Sequence, residues 1–202
     1  STVTMLERSG DSTTNDLRIT ATDGGRIDLT GIAGIADSST GTNGRVHITA
    51  DGAGSEVDLV NVTTLSDTIL EVRDGGGITG QLTSLTGRSQ LIKRSTGVID
   101  LSALASADNA ELIAEDGATL ALGGASVDAA DLVARKGFLG SGGAQLTTTV
   151  TSYTGVTSGF NVDRRFEADG AGSLLDLSTL TTLERSGDST TNDLRITATD
   201  GG

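Results

Sequence analysis

Residues 46–65 read VHITADGAGSEVDLVNVTTL, and this stretch holds the pattern from which the fold follows. Val46, Ile48 and Ala50 alternate with polar residues, which predicts a β-strand with one face turned inward. The pair Asp51-Gly52 follows and predicts a tight turn, because glycine tolerates a positive φ.

A second short strand is predicted at Val57-Asp58-Leu59, again with its apolar residues on one face. The apolar positions then step by three, through Val62 to Leu65, which indicates a bent third side. One unit of this kind therefore has three sides and a closing polar loop.

The same plan recurs along the whole chain at intervals of 20–33 residues. Internal periods of this size are typical of solenoids. The sequence predicts an all-β fold, namely a parallel β-helix (β-solenoid) that runs as one continuous segment through residues 1–202. The turn pairs that mark the units are Asp23-Gly24, Asp51-Gly52, Asp74-Gly75, Asp116-Gly117, Asp169-Gly170 and Asp200-Gly201, with degenerate versions at Thr96-Gly97 and Lys136-Gly137.

A much longer repeat encloses these units. Residues 1–25 read STVTMLERSGDSTTNDLRITATDGG, and residues 178–202 read STLTTLERSGDSTTNDLRITATDGG. The offset is 177 residues, so the two stretches are equivalent parts of successive tandem repeats, with seven short units in each long period. At a strand spacing of roughly 4.8 Å, seven units rise by about 34 Å. We expect the partner of such a chain to be itself, or the adjacent repeat, stacked head to tail.

Composition limits the classes of function. Aromatic residues make up 2% of the chain, and proline and cysteine are absent, so neither disulfides nor thiolate metal sites are expected. The net charge of −13 argues against nucleic acid and anionic membrane surfaces as partners. No apolar run approaches the roughly 18 residues that a membrane span needs.

Units with the pattern Ala-Asp-Gly, two variable residues and then hydrophobic-Asp-Leu resemble the parallel β-helix repeats of giant bacterial surface proteins of the filamentous-haemagglutinin-like type. The resemblance is one of repeat style over the whole chain. It implies an exported stalk, filament or adhesin, located outside the cell or at the cell surface.

Three functions follow from these observations. The first is a non-catalytic structural repeat of an extracellular bacterial filament or stalk. The second is an adhesive module that binds a cell-surface glycan or protein through protruding loops. The third is a polysaccharide-processing β-helix, which the scarcity of aromatic residues and the lack of catalytic motifs disfavour. The chain is therefore expected not to be an enzyme.

An aspartate recurs at the centre of the second strand, at Asp28, Asp58 and Asp176 among others. In a tandem array the unit of Asp176 precedes one like that of Asp28 and then one like that of Asp58, so three carboxylates would stack about 5 Å apart. At least one pKa should then rise unless a cation lies between them. One interpretation is a Ca²⁺ ladder, with no other cofactor. The other is a solvated column neutralised by Arg26, Arg45 or turn N–H groups.

The longest predicted insertion runs from residue 146 to residue 163 and holds Tyr153 and Phe160. On a protruding loop these rings would be partner-binding residues. The alternative is that they cover the side of the solenoid as a small satellite patch.

Overall fold

The computed structural model describes residues 4–8, 16–37, 45–138, 142–155, 163–185 and 193–202. These residues form 21 strands and no helix, and every strand pairing among them is parallel. The predicted all-β class and the parallel pairing are therefore confirmed. Since the described residues contain no helix, they also contain none that could cross a membrane.

The largest sheet has eight strands, and each unit of the repeat supplies one of them. We call it the first sheet. Its order is β2 (Leu17–Ala21), β5 (Val46–Asp51), β8 (Thr68–Arg73), β11 (Gln90–Arg94), β13 (Glu111–Glu115), β15 (Asp131–Arg135), β18 (Arg164–Asp169) and β21 (Leu194–Thr199). Strand β21 repeats β2, so seven strand steps separate the two copies of the repeat, as the sequence predicts.

A second set of strands follows the turns. It forms one sheet of β3 (Arg26–Asp28), β6 (Glu56–Leu59), β9 (Gly77–Gly80) and β12 (Val98–Ile99), and another of β14 (Thr119–Ala121), β16 (Gln145–Thr147) and β19 (Leu174–Asp176). Gly80 is the register partner of Leu59 and has no side chain to add to the apolar column.

The third set occupies the side where the sequence predicts a bend. It consists of β1 (Met5–Arg8), β4 (Gly34–Asp37), β7 (Thr64–Ser66) and β10 (Ser84–Thr86) in one sheet, and of β17 (Ser152–Thr154) with β20 (Thr182–Glu184) in another. Isolated parallel bridges from Ser84 to Ser106 and from Ser106 to Ser126 continue the first of these sheets.

The core consists of side-chain columns that run from strand to strand. On the first sheet, one column joins register partners that are all aliphatic except one: Ile19, Ile48, Leu70, Leu91, Leu112, Leu132, Phe166 and Ile196. The central members of this column are fully buried. Burial on this scale provides the main favourable free energy of folding.

The expectation of a long insertion from residue 146 to residue 163 is wrong over its described part. Residues 145–147 form β16 and residues 152–154 form β17, so both belong to regular sides. Leu146 pairs in register with Leu120 and Leu175, which makes it a normal inward residue of the second set. Nine residues separate β15 from β16 and nine separate β17 from β18, so the extra residues of this unit lie both before and after these two strands.

Candidate functional site

The structure brings together only two of the three aspartates proposed as a calcium ladder. Asp28 and Asp58 are register partners on β3 and β6, and the next position along is Thr79. Asp176 lies on β19, where its partner is Thr147. Within this chain the three carboxylates do not meet, and Asp176 would approach its counterparts only in a following repeat.

Each recurring aspartate has a local structural role. One carboxylate oxygen accepts the backbone N–H of the residue two positions later: Asp28 from Thr30 at 2.9 Å, Asp58 from Val60 at 3.1 Å, Asp100 from Ser102 at 2.9 Å and Asp176 from Ser178 at 2.9 Å. This is an Asx turn, which explains why the position recurs as aspartate.

The electrostatics of this column agree with the turn. The backbone N–H of Thr30 lowers the pKa of Asp28, and that of Ser178 lowers the pKa of Asp176, so the rise expected for a carboxylate ladder is not found at these two groups. Arg26 neutralises Asp58 at 3.0 Å. In the described part of the chain, no group of three or more His, Cys, Asp or Glu side chains is placed to hold a metal ion. Calcium bound between Asp28 and Asp58 stays a prediction.

Tyr153 does not lie on a protruding loop, so its proposed role as a partner-binding residue needs correction. The side chain is 1% exposed, and its hydroxyl donates to the carbonyl oxygen of Ala130 at 3.0 Å. Its ring meets that of Phe166 edge to face, with 4.7 Å between centroids. The alternation of β17 turns Tyr153 inward, where its ring packs in the core against that of Phe166 on the first strand of the next unit. Phe160 lies outside the described residues.

The outward face of the first sheet carries a network that the sequence patterns did not predict. Glu115 is 4% exposed and forms ion pairs with Arg94 and Arg135. Beside these pairs, Ile113 and Val133 point away from the core and are nevertheless buried. Long charged side chains can cover apolar surface with their methylene stems. The outer face of these strands is therefore shielded from solvent, as the inner face is.

A polar cleft of about 510 Å³ lies at the edge where the strands of the first sheet begin. Its charged lining consists of Arg45, Arg88, Arg164, Glu111 and Asp131. The cleft lies over short connections, with one residue between β7 and β8 and three between β10 and β11.

The charged groups of the cleft are only partly paired. Arg164 approaches Asp131 at 3.6 Å, and Arg88 approaches Asp67 at 3.3 Å. Burial is the largest influence on Asp131 and raises the pKa of its carboxyl. Glu111 is held by Arg165 and by the amide of Gln90.

Sequence reasoning missed this cleft, although a signal for it exists. When the units are aligned on the column of Ile48, Leu91 and Leu112, residues Arg45 and Arg88 share one position, three residues before the column. Asn109 takes that position in the next unit and also lines the cleft. The alignment requires β11 to be recognised as a strand, and the sequence patterns did not identify it.

Comparisons with protein-family models, with curated proteins and with solved structures found no match to this chain.

Proposed function

We propose that this chain is part of a continuous parallel β-solenoid that serves as a structural repeat of an extended filament or stalk outside the cell. The proposal assigns it no catalytic role. Its main support is that β21 has the same sequence as β2. Because β2 pairs with β5, we expect a strand with the sequence of β5 to pair with the outer edge of β21 in the next repeat.

The three sets of strands support the solenoid. Each described unit sends one strand to the first sheet, and most send one to each of the other two sets. The columns between them are apolar and buried, as expected of a thin core enclosed by three sides. In such an array each backbone group pairs with the unit above and the unit below.

Because β21 has the same sequence as β2, the pairing of β2 with β5 predicts how a following repeat would pack on β21. Ile196 is 58% exposed, whereas its counterpart Ile19 is 8% exposed where β5 covers it. Stacking a strand with the sequence of β5 on β21 would bury Ile196 and pair the free N–H and C=O groups of the edge. An unpaired edge strand readily accepts another strand.

A disulfide across the predicted junction tests this proposal. In a two-period chain, residues 26–177 follow Gly202, and cysteine replaces Arg195 and the second-period equivalent of His47. Their counterparts Arg18 and His47 are register partners on the outward face. Neighbouring strands lie about 4.8 Å apart, within the range that a disulfide spans. Because the chain has no other cysteine, mild oxidation should close this bond quantitatively within each molecule.

The matched control combines Arg195→Cys with a cysteine at the second-period equivalent of Thr49. That position lies on the same face but two residues further along, at roughly 8 Å, which is too far for a disulfide. Equal cross-linking of both pairs, or of neither, would contradict the stacked register. The stalk itself requires electron micrographs of longer chains, in which separate globules in place of rods would contradict it.

A further inference from the structure

The cleft at the beginning of the first sheet concentrates positive charge on an acidic protein. The chain carries a net charge of −13, yet three guanidinium groups, those of Arg45, Arg88 and Arg164, line this one cleft. Its volume of about 510 Å³ lies within the usual range of small-ligand sites, which is roughly 300–1,000 Å³.

Two of these arginines have donors that no described residue accepts in a close hydrogen bond. The Nε atom of Arg164 is buried without a hydrogen-bond partner, and its two terminal nitrogens contact Asn109 and Asp131 only at 3.5 and 3.6 Å. Within the described part of the chain, the guanidinium of Arg45 has no hydrogen-bond or ion-pair partner. A buried donor without an acceptor is costly, so the present partners of Arg164 do not satisfy its guanidinium.

Two other arginines with a buried Nε atom, Arg73 and Arg94, lie outside the cleft and beside carboxylates. The Nε atoms of Arg73 and Arg94 are also buried without a well-directed hydrogen bond, although Arg94 Nε lies 2.8 Å from a carboxylate oxygen of Glu115. Both side chains lie within ion-pair distance of Glu71 on the outward face of the sheet, and neither lines the cleft. Of these three arginines, Arg164 alone also lines the cleft.

The lining also limits how densely charged a ligand can be. Glu111 and Asp131 lie among the arginines, and amides of Gln90 and Asn109 stand beside them. A dense polyanion would meet these carboxylates at close range and be repelled. A chain with spaced carboxylates and many hydroxyl groups would pair its acid groups with the arginines and its hydroxyls with the carboxylates and amides.

Backbone pairing excludes an extended peptide as an added strand. The N–H of Glu111 donates to the carbonyl of Ser89 at 2.9 Å, and that of Asp131 donates to Ala110 at 2.9 Å. The N–H of Arg164 donates to Asp193 at 2.7 Å. Strand addition needs a row of free main-chain N–H and C=O groups, and the N–H groups named here are already paired. Among the described residues, the lining contains no aromatic ring on which nucleobases could stack.

We propose that this cleft binds an acidic oligosaccharide, with one sugar carboxylate in the fork of Arg164 and another against Arg45. The two terminal nitrogens of Arg164 are held only loosely by Asn109 and Asp131, and together they suit a bidentate carboxylate. The backbones of β5 and β18 are five steps apart in the first sheet, about 24 Å, and Arg164 reaches back to Asn109 before β13, so a ligand that touches both Arg45 and Arg164 has more than one sugar unit. This site does not depend on the stacking of successive repeats.

The test measures binding of tetra-galacturonate to the whole chain by calorimetry, with its fully methyl-esterified form as the matched neutral ligand. We expect saturable binding of the acid form and at least tenfold weaker binding of the ester. Arg164→Gln and Arg45→Gln should each weaken binding of the acid at least tenfold. Arg26→Gln, the same charge change on β3 outside the cleft, should leave it unchanged. The melting midpoint of each variant checks that it is folded, and Arg45 has no described partner whose loss would unfold the chain.

Three results would overturn the proposal: no binding of the acid form, equal binding of the ester, or equal weakening by Arg26→Gln. A hexaglutamate peptide serves as a further arm. If it bound as tightly as the tetra-galacturonate, the site would be a general carboxylate site and the assignment to a saccharide would be wrong.

Discussion

Lys93 occupies a core column that the other units fill with small apolar residues. Its register partners are Val72 on β8 and Ala114 on β13, both fully buried. Desolvation lowers the pKa of the Lys93 ammonium, and within the described residues this group forms no ion pair. The lysine therefore interrupts an otherwise apolar column at one unit of the repeat.

Lys93→Met should stabilise the chain at neutral pH by about 0.5–2 kcal/mol, because it keeps the stem and removes the desolvated charge. A lowered folded-state pKa means that the charged form is disfavoured in the folded state. In the wild type, stability should therefore rise as the pH climbs through the folded-state pKa towards the unfolded value of about 10.4. The advantage of Lys93→Met should shrink over the same range.

Thermal denaturation of Lys93→Met across a pH range from about 7 to about 10.5 measures both effects. Lys136→Met is the control, since Lys136 is the only other lysine and its side chain is exposed. A lower midpoint for Lys93→Met at neutral pH, or an equal gain for both variants, would show that the Lys93 ammonium is not desolvated in this column.

Asp58 tests the Asx-turn explanation of the recurring aspartates. Asp58→Asn keeps the oxygen that accepts the N–H of Val60 and loses only the exposed ion pair with Arg26, worth about 0–1 kcal/mol. Asp58→Ala also loses the turn hydrogen bond, at a further cost of about 0.5–1.5 kcal/mol. Urea denaturation should rank the wild type and Asn above Ala. If Asn and Ala were equally destabilised, the charge and not the turn would explain the aspartate.

At the scale of the element, the turn between the first and second sets of strands depends on glycine for space. A Cβ on Gly76 would overlap the backbone carbonyl of Ala50 in the preceding unit. The same overlap arises at Gly97 over Val72 and at Gly202 over Ala168. These glycines let successive turns stack at the strand spacing, which explains part of the high glycine content of the chain.

Gly76→Ala should therefore destabilise the chain by about 1–3 kcal/mol, the usual cost of overpacking a rigid site. Gly34→Ala is the matched control, because a Cβ there meets nothing within 4 Å and the residue does not have a positive φ. Equal melting midpoints for the two variants would mean that the turns do not stack as closely as the structure indicates.

Some strands could be predicted from the sequence, and others could not. Alternation of Val46, Ile48 and Ala50 predicted β5 correctly, because large inward residues mark the pleat. Strand β11 was missed because Lys93 breaks the alternation and its turn lacks the Asp-Gly pair. Strand β9 was missed because Gly80 stands where other units have leucine.

The candidate sites were harder to predict, because they depend on which distant residues become neighbours. Asp28 and Asp58 were correctly placed side by side, since both occupy the same position of the repeat. Tyr153 was misplaced because its strand was taken for an insertion. The cleft joins Arg45 to Arg164 across 119 positions of sequence, and only the register of the intervening strands brings them to one edge.

At the scale of the whole molecule, the main proposal is that successive 177-residue repeats continue one parallel array along a single axis. X-ray diffraction from aligned fibres of a chain with several periods is the sharpest test of it. Strands perpendicular to the axis should give a strong reflection at about 4.8 Å on the meridian, together with an axial repeat of about 34 Å from seven strand spacings. The same reflection on the equator, or an axial repeat unrelated to seven strand spacings, would contradict the continuous array.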